Sequence, residues 1–303
     1  MTRIITYLMF YILSNTFSYA QKVTSEEILI KNDGVELPGT LTFTKEKSPL
    51  LIWVHGSGAV LRDGGKPQYI KQFREAVNQE NIAFFSYDKR SANKNNLVFL
   101  QQGVLFNDFV SDAKKVVNHF KDDKRFSKII LVGHSQGSLI SMLISKNVAK
   151  YISLAGPGET IDKTLIRQIT KQSAEFGKIT EAHIKELKET GNIKNVNPNL
   201  MSLFAPQNQP FFKEWISLNP LEEIKKITIP TLIINGDKDF QVLVNDAKAL
   251  HNANQKSKLV IIPNMNHLGK HIEKDEDNMK SYTNPDFPIS KKLINTVVTF
   301  VKK

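Results

Sequence analysis

Apolar positions follow two alternating rhythms along the chain. Residues 49–54, Pro-Leu-Leu-Ile-Trp-Val, form a continuous apolar run, the pattern of a strand buried on both faces of a parallel sheet. Residues 66–80 instead place Ile70, Phe73 and Val77 three or four apart, on one face of a helix. Residues 82–87 read as the next strand. Residues 106–120 read as a helix carrying Phe109, Ala113, Val116 and Phe120. A β-branched strand at 129–132 runs into an apolar helical pattern, and 151–154 is a further strand. Upstream, short strands at 26–30 and 37–43 flank Asn32-Asp33-Gly34, a hairpin turn signal. This alternation predicts an α/β fold, a mainly parallel central sheet flanked by helices.

The rhythm breaks at 156–219, which holds no strand-like run. Residues 160–177 and 180–190 read as two helices, the second stopping at Gly191-Asn192. Residues 197–210 are loop-like, and Phe204, Phe211, Phe212 and Trp215 gather around them. Strands resume at 229–234 and 259–262. The expected organisation is a core at 21–155 and 220–303, with a helical lid at 156–219 over the carboxyl edge of the sheet, where open α/β sheets bind ligands.

Residues 1–20 carry a different pattern. Arg3, an apolar run at 4–13 and Ser18-Tyr19-Ala20 read as a cleavable secretory signal, with Gln21 the first mature residue. The run is too short for a spanning helix, so no stable membrane insertion is expected after cleavage. The expected location is secreted or periplasmic.

Composition narrows the chemistry. The 303 residues are 41% hydrophobic and include no cysteine, which removes disulfides, thiolate catalysis and cysteine-ligated metals. Net charge is +11, but the lysines are scattered without interleaved aromatics. That reads as a solvated basic surface, with no nucleic-acid partner.

The sharpest motif is Gly133-His134-Ser135-Gln136-Gly137, between the strand at 129–132 and an apolar helix. Strand, Gly-x-Ser-x-Gly and helix make a nucleophile elbow, which holds Ser135 exposed on a strained turn. Two later strand ends supply its partners in the order that follows such an elbow. Asp239 lies just past Gly236, and His267 follows Asn264-Met265-Asn266. His267 is the candidate base and Asp239 its orienter, with Asp237 the competing carboxylate. His55-Gly56-Ser57-Gly58 ends an earlier strand. The N–H groups of Ser57 and Gln136 are the candidate oxyanion donors, with Gly58 the alternative to Ser57. Gly56, Gly58, Phe211 and Phe212 are the candidate substrate-binding residues.

Together these motifs resemble the α/β-hydrolase superfamily. Finer features are similar to bacterial EstD-type carboxylesterases, which sit close to the serine aminopeptidases. They are Leu37-Pro38-Gly39-Thr40-Leu41, Arg62-Asp63-Gly64, Tyr87-Asp88-Lys89-Arg90, Leu154-Ala155-Gly156-Pro157-Gly158, Asp239-Phe240-Gln241-Val242 and Asn264-Met265-Asn266-His267. The resemblance spans nearly all of 25–303. It implies the triad Ser135, Asp239 and His267 and hydrolysis of short or medium acyl esters without a cofactor. Ser138 and Ser91 stand where relatives have glycine, which predicts changes at the pocket edge.

The remaining polar residues read as structural. His134 is expected to pack within the elbow, and His119, His183 and His251 to lie at the surface. His267 and His271 are four apart but lack the glutamate of a zinc helix. Asp88 and Arg90 read as an ion pair supporting the oxyanion loop. Two other functions fit the same residues. An aminopeptidase would need an acid for the substrate ammonium, and Glu159, Glu175 and Glu214 are candidates. A non-catalytic binding protein on the same scaffold is the third reading.

Overall fold

Eight strands form one sheet in the order β1-β2-β4-β3-β5-β6-β7-β8 in the computed structural model, which describes residues 22–303. The expected signal at 1–20 lies outside the described residues. β1 (Thr24–Asn32) and β2 (Val35–Phe43) are the antiparallel hairpin read from Asn32-Asp33-Gly34. β3 (Ser48–Val54), β4 (Ala83–Tyr87), β5 (Phe126–His134), β6 (Lys150–Leu154), β7 (Thr231–Gly236) and β8 (Lys258–Ile262) run parallel to one another. All their carboxyl ends therefore meet at one edge.

The helices are α1 (Tyr69–Gln79), α2 (Leu97–Gln101), α3 (Phe106–Phe120), α4 (Gln136–Ile144), α5 (Ile161–Gln172) and α6 (Ala174–Thr190). They continue with α7 (Met201–Phe204), α8 (Gln209–Ile216), α9 (Pro220–Lys225), α10 (Val244–Ala253) and α11 (Lys291–Lys302).

The period of two along β3 divides the core. Leu50, Ile52 and Val54 face the side covered by α3, α4 and α10, whereas Leu51 and Trp53 face α1 and α11. This burial on both faces is why β3 reads as an unbroken apolar run. The α/β-hydrolase architecture expected from the sequence is the one observed.

Helices alone occupy the stretch from β6 to β7. Their boundaries differ from the sequence reading. The first helix ends at Gln172 and the second starts at Ala174, because Ser173 caps it and accepts from the Phe176 N–H at 3.3 Å. Gly177, read as a helix end, lies inside α6. A Cβ there would sit 2.1 Å from Thr170 Oγ1, so this glycine lets α5 and α6 approach closely. The segment read as loop holds the single-turn α7.

Candidate active site

The elbow forms where β5 meets α4. Ser135 lies between them at φ 53° and ψ −120°, a strained conformation for a residue with a side chain. Its N–H donates to Leu154 O at 3.0 Å. The flanking glycines have steric reasons. A Cβ on Gly133 would lie 2.4 Å from Gly137 O, and one on Gly137 would lie 2.1 Å from Val54 O. Gln136 opens α4, so its N–H has no acceptor within the helix.

The turns after β7 and β8 are tied together by their backbones. Asp237 N–H donates to Ile262 O at 3.2 Å, and Lys238 N–H to Met265 O at 3.0 Å. This places Asp239 against His267. The His267 Nδ1–H donates to Asp239 Oδ2 at 2.8 Å, which leaves Nε2 as the ring's acceptor. Asp239 Oδ1 accepts from the N–H groups of Gln241 and Val242 at 2.8 and 2.9 Å. Both residues are buried, at 5% and 4% exposure. Asp237 is exposed and holds the turn, accepting from Asn264 N–H at 2.7 Å.

His134 packs within the elbow as read. Its ring stacks on Trp53, lies 4.9 Å from the His267 ring, and donates from Nε2 to the His267 carbonyl at 2.8 Å. Burial, then neighbouring His267, pushes His134 down to about 3, so it stays neutral.

Ser135, His267, Ser57, Gln136, Gly56, Gly58, Phe211 and Phe212 all line one cavity of about 780 Å³. That is within the range of small-molecule sites. One wall is aromatic. Phe211 meets Phe109 edge-on at 5.9 Å and Phe106 at 6.0 Å. Phe212 lines the cavity but is buried, packed on Phe204 at 5.5 Å and on Trp215 at 6.2 Å.

Several expectations are corrected. Asp88 and Arg90 do not pair with each other. Asp88 takes a bidentate grip from Arg62, at 3.1 and 2.9 Å. Arg90 grips Asp112 at 2.6 and 2.8 Å. Ser138 is not at the pocket edge. It lies behind the elbow, fully buried, bonded to Tyr151 Oη at 2.6 Å and Ser153 Oγ at 2.8 Å. Ser91 does line the cavity, and donates to Gly58 O at 3.2 Å. His183 is buried rather than surface, and its Nε2 accepts from Asn197 N–H at 3.0 Å.

Tyr282 and Lys89 also line the cavity, and the sequence reading gave neither a role. Tyr282, from the irregular segment after β8, accepts from Gln241 Nε2 at 3.1 Å; burial raises its pKa, so it stays protonated. No local pattern marks it. Lys89 is buried between two ion-paired neighbours, and its Nζ donates to Gly56 O at 2.8 Å and Gln136 Oε1 at 2.7 Å. The available signal was its place two residues past a wholly buried strand end, where alternation puts it on the side of Tyr87 and away from Asp88 and Arg90.

Comparison with known proteins gives the chain its relatives. Esterase EstD of Thermotoga maritima is 25% identical over 244 residues, taking in 77% of this chain and 58% of that one. The chain thus spans less than two thirds of that relative's length. Est1E from Butyrivibrio proteoclasticus shares the fold at a TM-score of 0.58 and 19% identity, covering 91% of this chain and 99% of that one. The Pyrococcus furiosus esterase Pf2001 does so at 0.60 and 18%, covering 92% and 91%. The family model described as BD-FAE matches residues 41–254, a stretch that includes Ser57, Ser135 and Asp239 and ends before His267. That match takes in more than half of the chain, which therefore belongs to the BD-FAE family.

Proposed function

We propose that the protein is a carboxylesterase that cleaves esters of short to medium acyl chains through an acyl-enzyme on Ser135. The observation that carries this is the buried Asp239–His267 pair opening onto the same cavity as the strained serine. Ser135 Oγ attacks the acyl carbonyl while His267 Nε2 takes its proton. Asp239 holds the imidazole tautomer and stabilises the imidazolium. The N–H groups of Ser57 and Gln136 receive the oxyanion. His267 returns the proton to the leaving alcohol, and water cleaves the acyl-enzyme by the same route.

An ester fits better than an aminoacyl substrate. Among the described residues no Asp or Glu lines the cavity, so a substrate ammonium would find no counter-charge. The three candidate acids are occupied elsewhere or outside it. Glu159 binds Arg167 at 2.8 Å, Glu214 accepts from Asn107 N–H at 3.0 Å, and Glu175 is exposed. We read residues 156–219 as the lid, with Phe211 as its acyl-facing wall.

The test is a fluorophosphonate label with wild type and Ser135→Ala, followed by p-nitrophenyl esters of graded chain length. An aminoacyl anilide and a ferulate ester belong in the panel, since a structure of Est1E holds ferulic acid. Labelling that depends on Ser135, with ester turnover far above anilide turnover, supports the reading. An unlabelled serine returns the chain to the binding-protein reading.

A further inference from the structure

We infer that Lys89 is a positioning residue for the oxyanion hole, polarising the Gly56–Ser57 peptide from behind and bracing Gln136. The inference rests on the Ser135 reading above. The Lys89 ammonium donates to Gly56 O at 2.8 Å. That carbonyl belongs to the same planar trans peptide as the Ser57 N–H, which points the opposite way. A cation on the oxygen end therefore aims the N–H end away from itself and makes it a stronger donor. The second bond, to Gln136 Oε1 at 2.7 Å, fixes the residue that supplies the other donor. One side chain thus links both segments that would receive the oxyanion.

The environment of Lys89 is costly for a merely structural group. It is 4% exposed, lies 4.3 Å above the Phe109 ring, and both its hydrogen-bond acceptors are neutral. A buried ammonium without a carboxylate partner is penalised. The nearby carboxylate on α3, Asp112, is engaged by Arg90 and by Asn32 Nδ2 at 2.9 Å. A methionine would fill the same volume over Phe109 without that penalty.

The charge also makes the site sensitive to pH. Burial pushes Lys89 down to about 7, with Asp112 opposing the shift. The other titratable groups around it are His55 on the oxyanion loop, Tyr87 and Asp88 before it, Arg90 and Asp108 beside it, and His134 and His267 across the cavity. His55 and His134 are held neutral by burial, each at about 3, and burial keeps Tyr87 protonated. Turnover needs His267 unprotonated and, on this inference, Lys89 protonated. The profile of kcat therefore falls on the alkaline side as Lys89 loses its proton.

The experiment is kcat and KM against pH on p-nitrophenyl acetate for wild type, Lys89→Met and Lys89→Arg, with matched melting temperatures. A trifluoromethyl ketone inhibitor reports oxyanion binding directly. Lys89→Met should lose about ten- to a hundredfold in kcat, short of the loss of a whole oxyanion donor. Its KM should stay within about threefold, as for an interaction made in the transition state. It should lack the alkaline limb and bind the ketone weaker by the same factor as kcat. Lys89→Arg should keep most of kcat and move the limb to higher pH. A Lys89→Met enzyme with wild-type kcat, or a slow one that keeps the wild-type limb, overturns the inference. Where Lys89→Met does not fold, the limb in Lys89→Arg decides, and an unmoved limb overturns it. Wild type that neither labels nor turns over refutes the Ser135 reading instead.

Discussion

Asp237 and Asp239 lie two residues apart and do different work. Asp239 accepts from the His267 ring, while Asp237 accepts from the Asn264 backbone and only shapes a turn. An amide at the acid's position favours the wrong imidazole tautomer. Asp239→Asn should therefore lose about ten-thousandfold in kcat. Asp237→Asn, measured on the same ester at matched melting temperature, should stay within about fivefold. A second residue-scale prediction concerns stability. Lys89 titrates at about 7 in the fold and at 10.5 as a free side chain, so the unfolded chain binds more protons between those values. The burial penalty is present in full below pH 7 and relieved as pH rises towards 10.5. In urea unfolding, wild type should gain stability relative to Lys89→Met between about pH 6 and about pH 9. Ser135 was legible because an elbow is built from contiguous residues. The pairing of Asp239 with His267 followed from chain order and parallel strand direction. Lys89 was missed because a lysine between two charged residues reads as surface, although its alternation with the buried strand end at Tyr87 pointed inward.

At the scale of elements, the sequence revealed strands better than helix ends. A strand buried on both faces leaves an apolar run, whereas a helix end depends on one cap. Ser173 displaced the break between α5 and α6, and Gly177 misled because its reason is contact with Thr170 rather than termination. α2 escaped for want of a pattern: Leu97 and Val98 are exposed, so no apolar face marks it. The aromatic set on α8 separates into two roles. Phe211 is half-buried at the cavity wall, while Phe212 is packed between Phe204 and Trp215. Phe211→Ala should shift preference towards longer acyl chains with a modest change in melting temperature. Phe212→Ala should instead destabilise by about 3–5 kcal/mol, as expected for a buried ring. Graded p-nitrophenyl esters and denaturant unfolding of both variants check this division.

For the whole molecule, composition and the first residues reach further than the fold does. No helix among the described residues is long and apolar enough to cross a membrane. We propose export, on the charged and apolar pattern at 1–20. Mass spectrometry of protein from its native host should find Gln21 at the amino terminus, and an intact Met1 would refute it. The scattered lysines leave the surface basic without concentrating charge at the cavity, where Lys89 is the lining lysine.

The order of strands has a consequence for how the chain is made. β5 sits near the middle of the sheet, while β8 is its last strand and its edge. A ribosome therefore delivers Ser135 well over a hundred residues before His267. At about 5–20 residues per second, that interval is on the order of ten seconds. Throughout it the nascent chain holds a serine without a proton acceptor. On the proposed mechanism, acyl transfer begins only when the final strand closes the edge, so the growing polypeptide would be protected from its own nucleophile.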